Sequence, residues 1–255
     1  MISKELPSLV THLDIIKTIA VIVMVIDHLD MYFFPDITWF RAIGRIGMPV
    51  WFFMVGYARG RDLPNRLLIG ALVLAVADIV FFNRVFPMNA LVTIIALRFT
   101  IDPIMGFILR SRYIFVLSSI LMTLFYVATN LVVEYGTLAL MFACVGYLTR
   151  HKDKVMELTF VTNKDYVGFS ILTFVAFCLF QNATFQFDDI QFAMMGILTF
   201  ACMAILMTMR PMTFPQIKGG MVVRVLQYCG RNTLDIYVAH LLVFKVILFA
   251  SLALK

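Results

Sequence analysis

Polar residues are sparse along this chain, and between them apolar residues run on for the length of a helix. Nine such stretches stand out, at about 15–34, 39–60, 66–83, 88–110, 113–129, 133–149, 166–182, 190–209 and 233–254. Each is long enough for an α-helix to cross a hydrocarbon layer about 30 Å thick. The short alternating segments of an outer-membrane barrel are absent. The pattern therefore predicts an all-α fold: a polytopic transmembrane helical bundle of about nine spans, forming one integral-membrane domain over residues 1–255. Asp102-Pro103 is expected to interrupt the fourth span. Asn130 and its neighbours leave room only for a tight hairpin between the fifth and sixth. The first stretch is too long and too charged for a cleaved signal peptide and lacks a small-residue cleavage site, so it is expected to remain as a span.

Composition narrows the class further. Hydrophobic residues make up 62% of the chain and charged residues 14%, with 25 Phe and 17 Met. Soluble domains hold roughly 45–50% apolar and about 25% charged residues. A mean hydropathy of +0.94 leaves more apolar surface than a soluble fold of 255 residues can hide. The net charge of +6 invites a nucleic-acid reading. The basic residues, however, are distributed between the apolar stretches rather than gathered in one patch, which is how membrane topology is encoded. The expected partner is a lipid bilayer, with no nucleic acid. With the N-terminus cytoplasmic, fourteen basic residues fall inside: Lys4, Arg59, Arg61, Arg66, Arg110, Arg112, Arg150, Lys152, Lys154, Lys164, Arg210, Lys218, Arg224 and Arg231. Three fall outside: Arg41, Arg84 and Lys255. The loops about 150–165 and 210–232 are then cytoplasmic and basic, and Asp188 and Asp189 mark an acidic outer loop. Cys144, Cys178, Cys202 and Cys229 show no metal-ligand spacing and are read as packing residues.

Ionisable residues inside the spans carry the candidate chemistry, because a charge at mid-membrane costs roughly 2.5–3.5 kcal/mol on insertion scales. Lys17, Arg45, Arg98 and Lys245 lie there, with Asp27, His28, Asp78, Asp235 and His240. A rise of about 1.5 Å per residue places His28, Arg45, Asp78, Arg98 and His240 in one band roughly 12–21 Å above the inner boundary. Such a band predicts a single polar cavity. Thr11 and Asp14 have the spacing of a capping box. Asp14, Lys17, Val21, Met24 and His28 share one helical face, which sets an acid and a base at the mouth and an imidazole deep inside. Asp27 is expected to pair with Arg45, and Arg98 with Asp78. The bland alternatives stay open: His28 and His240 as hydrogen-bonding links between helices, and the ion pairs as mutual neutralisation. Lys245 is expected to snorkel to the outer surface. Asn182-Ala183-Thr184 fits a glycosylation sequon in a short loop.

The run from Asp14 through Lys17 to Asp27-His28 resembles the opening helix of the TraX family. Gly44-Arg45 followed by Pro49 and an aromatic-rich run, Asn89 at the start of the fourth span, and Tyr237-Val-Ala-His240 in the last are similar to the family's later landmarks. The resemblance covers most of the chain and is strongest over residues 12–60. It implies a bacterial inner-membrane acetyltransferase using cytoplasmic acetyl-CoA, with the N-terminal amine of a pilin-like protein as acceptor.

The residues fit acyl transfer in their own right. A thioester carbonyl must be attacked by an uncharged amine or hydroxyl, and His supplies a base near neutral pH. The developing oxyanion and thiolate need positive partners in a low-dielectric site. The candidate catalytic residues are His28, Asp27, Arg45 and His240. Lys17, Arg59, Arg61, Arg66 and Arg98 are the candidates for holding the coenzyme A donor, whose phosphates cannot enter the bilayer. No glycine-rich phosphate loop is present. Rival readings are an acyltransferase for a hydroxyl or amine of an envelope polysaccharide or lipid, a proton-coupled small-molecule transporter, and a nonenzymatic scaffold subunit. A transporter would predict an internal repeat, and the chain shows none.

Overall fold

The computed structural model describes residues 9–210, 212–217 and 219–254. Lys4, Lys218 and Lys255, counted above for topology, lie outside these. Thirteen helices and no strand occur among the described residues. They are α1 His12–Phe33, α2 Thr38–Gly44, α3 Gly47–Tyr57, α4 Asn65–Phe82, α5 Ala90–Ile108, α6 Arg112–Leu124, α7 Tyr126–Asn130, α8 Gly136–Arg150, α9 Lys152–Leu158, α10 Asn163–Phe185, α11 Asp189–Met207, α12 Gly220–Arg231 and α13 Thr233–Ala253. Helix fills every one of the nine expected segments. Only five helices among the described residues, α4, α5, α10, α11 and α13, are both long and apolar enough to qualify as spans on those grounds alone. α1 has the length, 22 residues, but carries Asp14, Lys17, Asp27 and Asp30.

Several local expectations change. The second segment is two helices, α2 and α3, meeting at Arg45 and Ile46. Pro49 explains the break: it has no N–H to give the Arg45 carbonyl four residues back. The fourth segment is not interrupted, because α5 continues through Pro103. The fifth and sixth segments do form a hairpin, closed by Tyr135 and Gly136, both at positive φ. The long basic stretch 210–232 is not all loop, since it contains α12. Asn182, of the sequon-like tripeptide, sits inside α10 and not in a loop, with its side-chain oxygen buried. Asp188 caps α11 by a capping box with Gln191, and Thr11 caps α1 through Asp14 as the spacing predicts.

The closest crossing in the bundle is α3 on α8. A Cβ at Gly56 would stand 1.8 Å from the Ala143 carbonyl oxygen, and one at Gly146 would stand 2.0 Å from that of Phe53. Two glycines thus let the backbones touch, as small residues do between membrane helices. Phe52, Phe53, Leu138, Met141, Phe142, Phe177 and Met195 fill the main core around this crossing, each 2% exposed or less. A second, smaller cluster of Tyr32, Leu67, Ala71, Leu74, Leu91 and Leu241 ties α1, α4, α5 and α13 together. A cavity lies between the elements of the two clusters.

Candidate functional site

The cavity has a volume of about 680 Å³, within the usual range for small-molecule sites. Its wall includes Lys17, Met24 and His28 of α1, Arg45 at the α2–α3 break, Trp51 and Phe52 of α3, Arg98 of α5, Tyr135, and Tyr237 of α13. Its polar ends differ. Asp27, His28, Arg45 and Tyr135 lie at the deep end. Lys17, Arg59, Arg66, Arg98, Arg150 and Arg231 lie toward the other, where α1, α4 and α13 begin and α3 and α8 finish.

At the deep end, α2 rests directly on α1. A Cβ on Gly44 would meet the Asp27 side chain at 2.4 Å, so only glycine allows the approach that puts Arg45 beside Asp27. Arg45 Nε lies 3.2 Å from the Asp27 carboxylate, as the sequence predicts. Arg45 Nη1 donates to the Tyr135 hydroxyl at 3.1 Å. Arg41, counted above as an outer-loop charge, is instead buried and completes the group. It bonds Asp27 at 3.3 Å and Asp30 at 2.7 Å. Both guanidinium groups stack over the Phe185 ring, at 4.9 and 4.5 Å. Two carboxylates and two guanidiniums neutralise each other here, and Arg45 is the guanidinium that reaches the cavity wall. The sequence held the signal: Asp27 and Asp30 are three apart, Arg41 and Arg45 four apart, and each pair occupies one helical face.

His28 opens onto the cavity and His240 stands behind it. The rings stack with centroids 5.0 Å apart, and His28 Nδ1 lies 2.7 Å from His240 Nε2. His240 Nδ1 lies 2.6 Å from the carbonyl oxygen of Ile236. A carbonyl only accepts, so His240 Nδ1 carries the proton. In the neutral pair, His240 Nε2 must then accept, His28 Nδ1 must donate, and the lone pair is left on His28 Nε2. The main chain of α13 thus fixes the tautomer of a base one ring away. Tyr237, to which the sequence assigns no role, lines the cavity with its ring 5.9 Å from each imidazole.

Other expected pairings fail. Asp78 does not meet Arg98; it is paired with Lys245. Lys245 does not snorkel outward but is 4% exposed, between the rings of Tyr32 and Phe82. Arg98 instead donates to the Asp62 backbone carbonyl near the mouth. The rise estimate gave distance along each helix but not which face of α4 and α5 turns inward, and that decided the partners. Asp14 does not line the mouth; Arg231 holds it at 3.1 Å in the joint between α1 and α12. Arg61 is absent from the cavity wall. It binds Asp102 through two nitrogens and donates to the carbonyls of Val55, Gly56 and Ala58, so it caps the end of α3. Arg59, Arg66 and Lys17 do line the wall, Arg66 with Asp235 at 3.5 Å. Arg150 and Arg231 join them, two residues that the sequence marks only as topology charges.

A deep imidazole with a free lone pair, a neighbouring guanidinium and a basic entrance together suit attack on a carbonyl of a substrate with an anionic tail. Comparison with known proteins gives a family. The family model described as TraX protein matches residues 12–248, nearly the whole chain. Among curated proteins, the chain is 30% identical over 149 residues to "Uncharacterized protein RP591" of Rickettsia prowazekii (strain Madrid E), covering 57% of this chain and 58% of that one. The chain thus spans little more than half the length of that relative. No solved structure matches.

Proposed function

Since the chain belongs to the TraX family, we propose that it is a membrane-embedded acetyltransferase that moves an acetyl group from cytoplasmic acetyl-CoA to an acceptor amine, the N-terminus of a pilin-like protein, at the bacterial inner membrane. In this reading the chain crosses the membrane nine times from a cytoplasmic N-terminus, and the basic end of the cavity faces the cytoplasm. The acceptor nitrogen attacks the thioester carbonyl carbon. A C–N bond forms, the C–S bond breaks, and the amine proton passes to His28 Nε2 and on to the departing thiolate. Arg45 faces the oxyanion, held in place by Asp27 and Tyr135. His240 keeps His28 in the tautomer that can accept a proton. Lys17, Arg59, Arg66 and Arg98 draw in the phosphates of the donor.

The observation that carries this reading is that one cavity joins His28 and Arg45 to a rim of basic side chains, Lys17, Arg59, Arg66, Arg98, Arg150 and Arg231. The test is label transfer. Purified protein is incubated with labelled acetyl-CoA and either a pilin-like peptide with a free N-terminus or a polysaccharide acceptor. Label on the peptide amine supports the proposal. Label only on sugar hydroxyls moves the acceptor to the envelope polysaccharide, and no transfer to any acceptor contradicts acyl transfer.

A further inference from the structure

The six basic residues on the cavity wall toward its mouth are not equivalent. Arg231 is held by Asp14 and Arg66 faces Asp235. Lys17, Arg59, Arg98 and Arg150 form no ion pair among the described residues. Asp27, at the deep end, is the one carboxylate on the described wall. Four positive charges therefore line the cavity without an ion-pair partner, an arrangement that suits a ligand bearing about four negative charges. A 3′-phosphate and a 5′-diphosphate together carry about that many.

Their spacing sorts the four into two pairs. Lys17 precedes His28 by eleven residues of continuous helix, a rise of about 16 Å. Arg98 follows the start of α5 by eight residues, a rise of about 12 Å from the level where Glu134 caps Ala90. Arg59 lies beyond the end of α3, more than about 18 Å along the chain axis from Arg45. Arg150 stands about 6 Å past the Gly146 crossing, with its guanidinium 5.3 Å over the Tyr57 ring. Lys17 and Arg98 thus form an inner pair, Arg59 and Arg150 an outer one. Thirteen bonds separate the sulfur of a coenzyme A thioester from its first phosphorus. At the extension of a peptide chain this is about 15 Å, close to the rise of about 16 Å between His28 and Lys17.

We infer that Lys17 and Arg98 hold the 5′-diphosphate of a coenzyme A thioester and that Arg59 and Arg150 hold its 3′-phosphate. The assignment rests on the acyltransferase reading and deepens it. It removes Arg61 from the donor site, because Arg61 caps α3, and brings in Arg150.

The test compares coenzyme A with dephospho-coenzyme A, which lacks only the 3′-phosphate, by titration calorimetry on the full chain in lipid nanodiscs. Wild type should bind coenzyme A about tenfold more tightly. Arg150→Gln should erase that difference by weakening coenzyme A alone. Arg59→Gln, an exposed position with no packing role, should do the same in part. Lys17→Gln should weaken both ligands by a similar factor. Equal affinity of wild type for the two ligands, or equal losses for both in Arg59→Gln and Arg150→Gln, would overturn the assignment while leaving the acyltransferase reading standing. Binding of neither ligand by wild type would overturn both.

Discussion

At the level of single residues, the two arginines beside Asp27 divide structure from chemistry. Arg41 is buried and is the only partner of Asp30 among the described residues, whereas Arg45 shares Asp27 with Arg41 and reaches the cavity. Arg41→Ala leaves a buried carboxylate uncompensated and should cost about 3–5 kcal/mol, read as a fall in the thermal midpoint. Arg45→Ala leaves Asp27 with Arg41, so the fold should hold while acetyl transfer drops by about 10²–10³, the scale of a lost oxyanion donor. Equal thermal shifts in the two variants would remove this distinction. His240 separates from His28 in the same way. His240→Gln, whose amide can still accept from His28 Nδ1, should retain more activity than His240→Leu, which frees the tautomer. If both behave alike in turnover, the orienting role of His240 is wrong. Asp27 with Arg45 was legible because a carboxylate inside a span calls for a cation on a neighbouring one. The link from His28 to His240 spans 212 residues and was visible only as two polar positions at similar depth.

At the level of the helices, the architecture turns on α3 and α8. Gly146→Leu would drive a side chain into the Phe53 carbonyl and should destabilise the bundle by about 3 kcal/mol or more, closing the cavity from one side. Measured unfolding at the wild-type midpoint would contradict the crossing. Arg61 gives a complementary check. Arg61→Ala uncaps α3 and releases Asp102, so stability should fall while coenzyme A affinity stays at the wild-type value. A selective loss of coenzyme A binding would return Arg61 to the donor site. Helix positions followed from the apolar runs, since length and apolarity set them locally. Breaks were harder to read. Pro49 and Pro103 are both prolines in apolar segments, yet only the first coincides with a helix boundary. Pro49 stands in the first turn of α3 between glycines on the preceding turn and a bulky aromatic run, whereas Pro103 sits inside a long apolar helix, where neighbouring helices can satisfy the freed carbonyl.

At the level of the whole molecule, charge asymmetry and cavity direction agree. The loops rich in Lys and Arg adjoin the basic end of the cavity, and Asp36 lies between α1 and α2 at the opposite end. In a background without the four native cysteines, Asp36→Cys should label from outside the cell and Lys152→Cys only after permeabilisation; the reverse pattern would place the donor entrance on the wrong side. The expected topology rests on loop charge, a one-dimensional signal. The separation of the Asp78–Lys245 pair from the cavity was not legible in the sequence, because it depends on how helices rotate against one another. The central claim, that His28 is the base of an acyl transfer in this cavity, is tested most directly by single-turnover acetyl transfer from labelled acetyl-CoA in wild type and His28→Ala, with donor affinity measured on the same samples. Acetyl transfer should fall by about 10²–10⁴ with donor affinity unchanged. Near-normal transfer by a well-folded His28→Ala protein would contradict it.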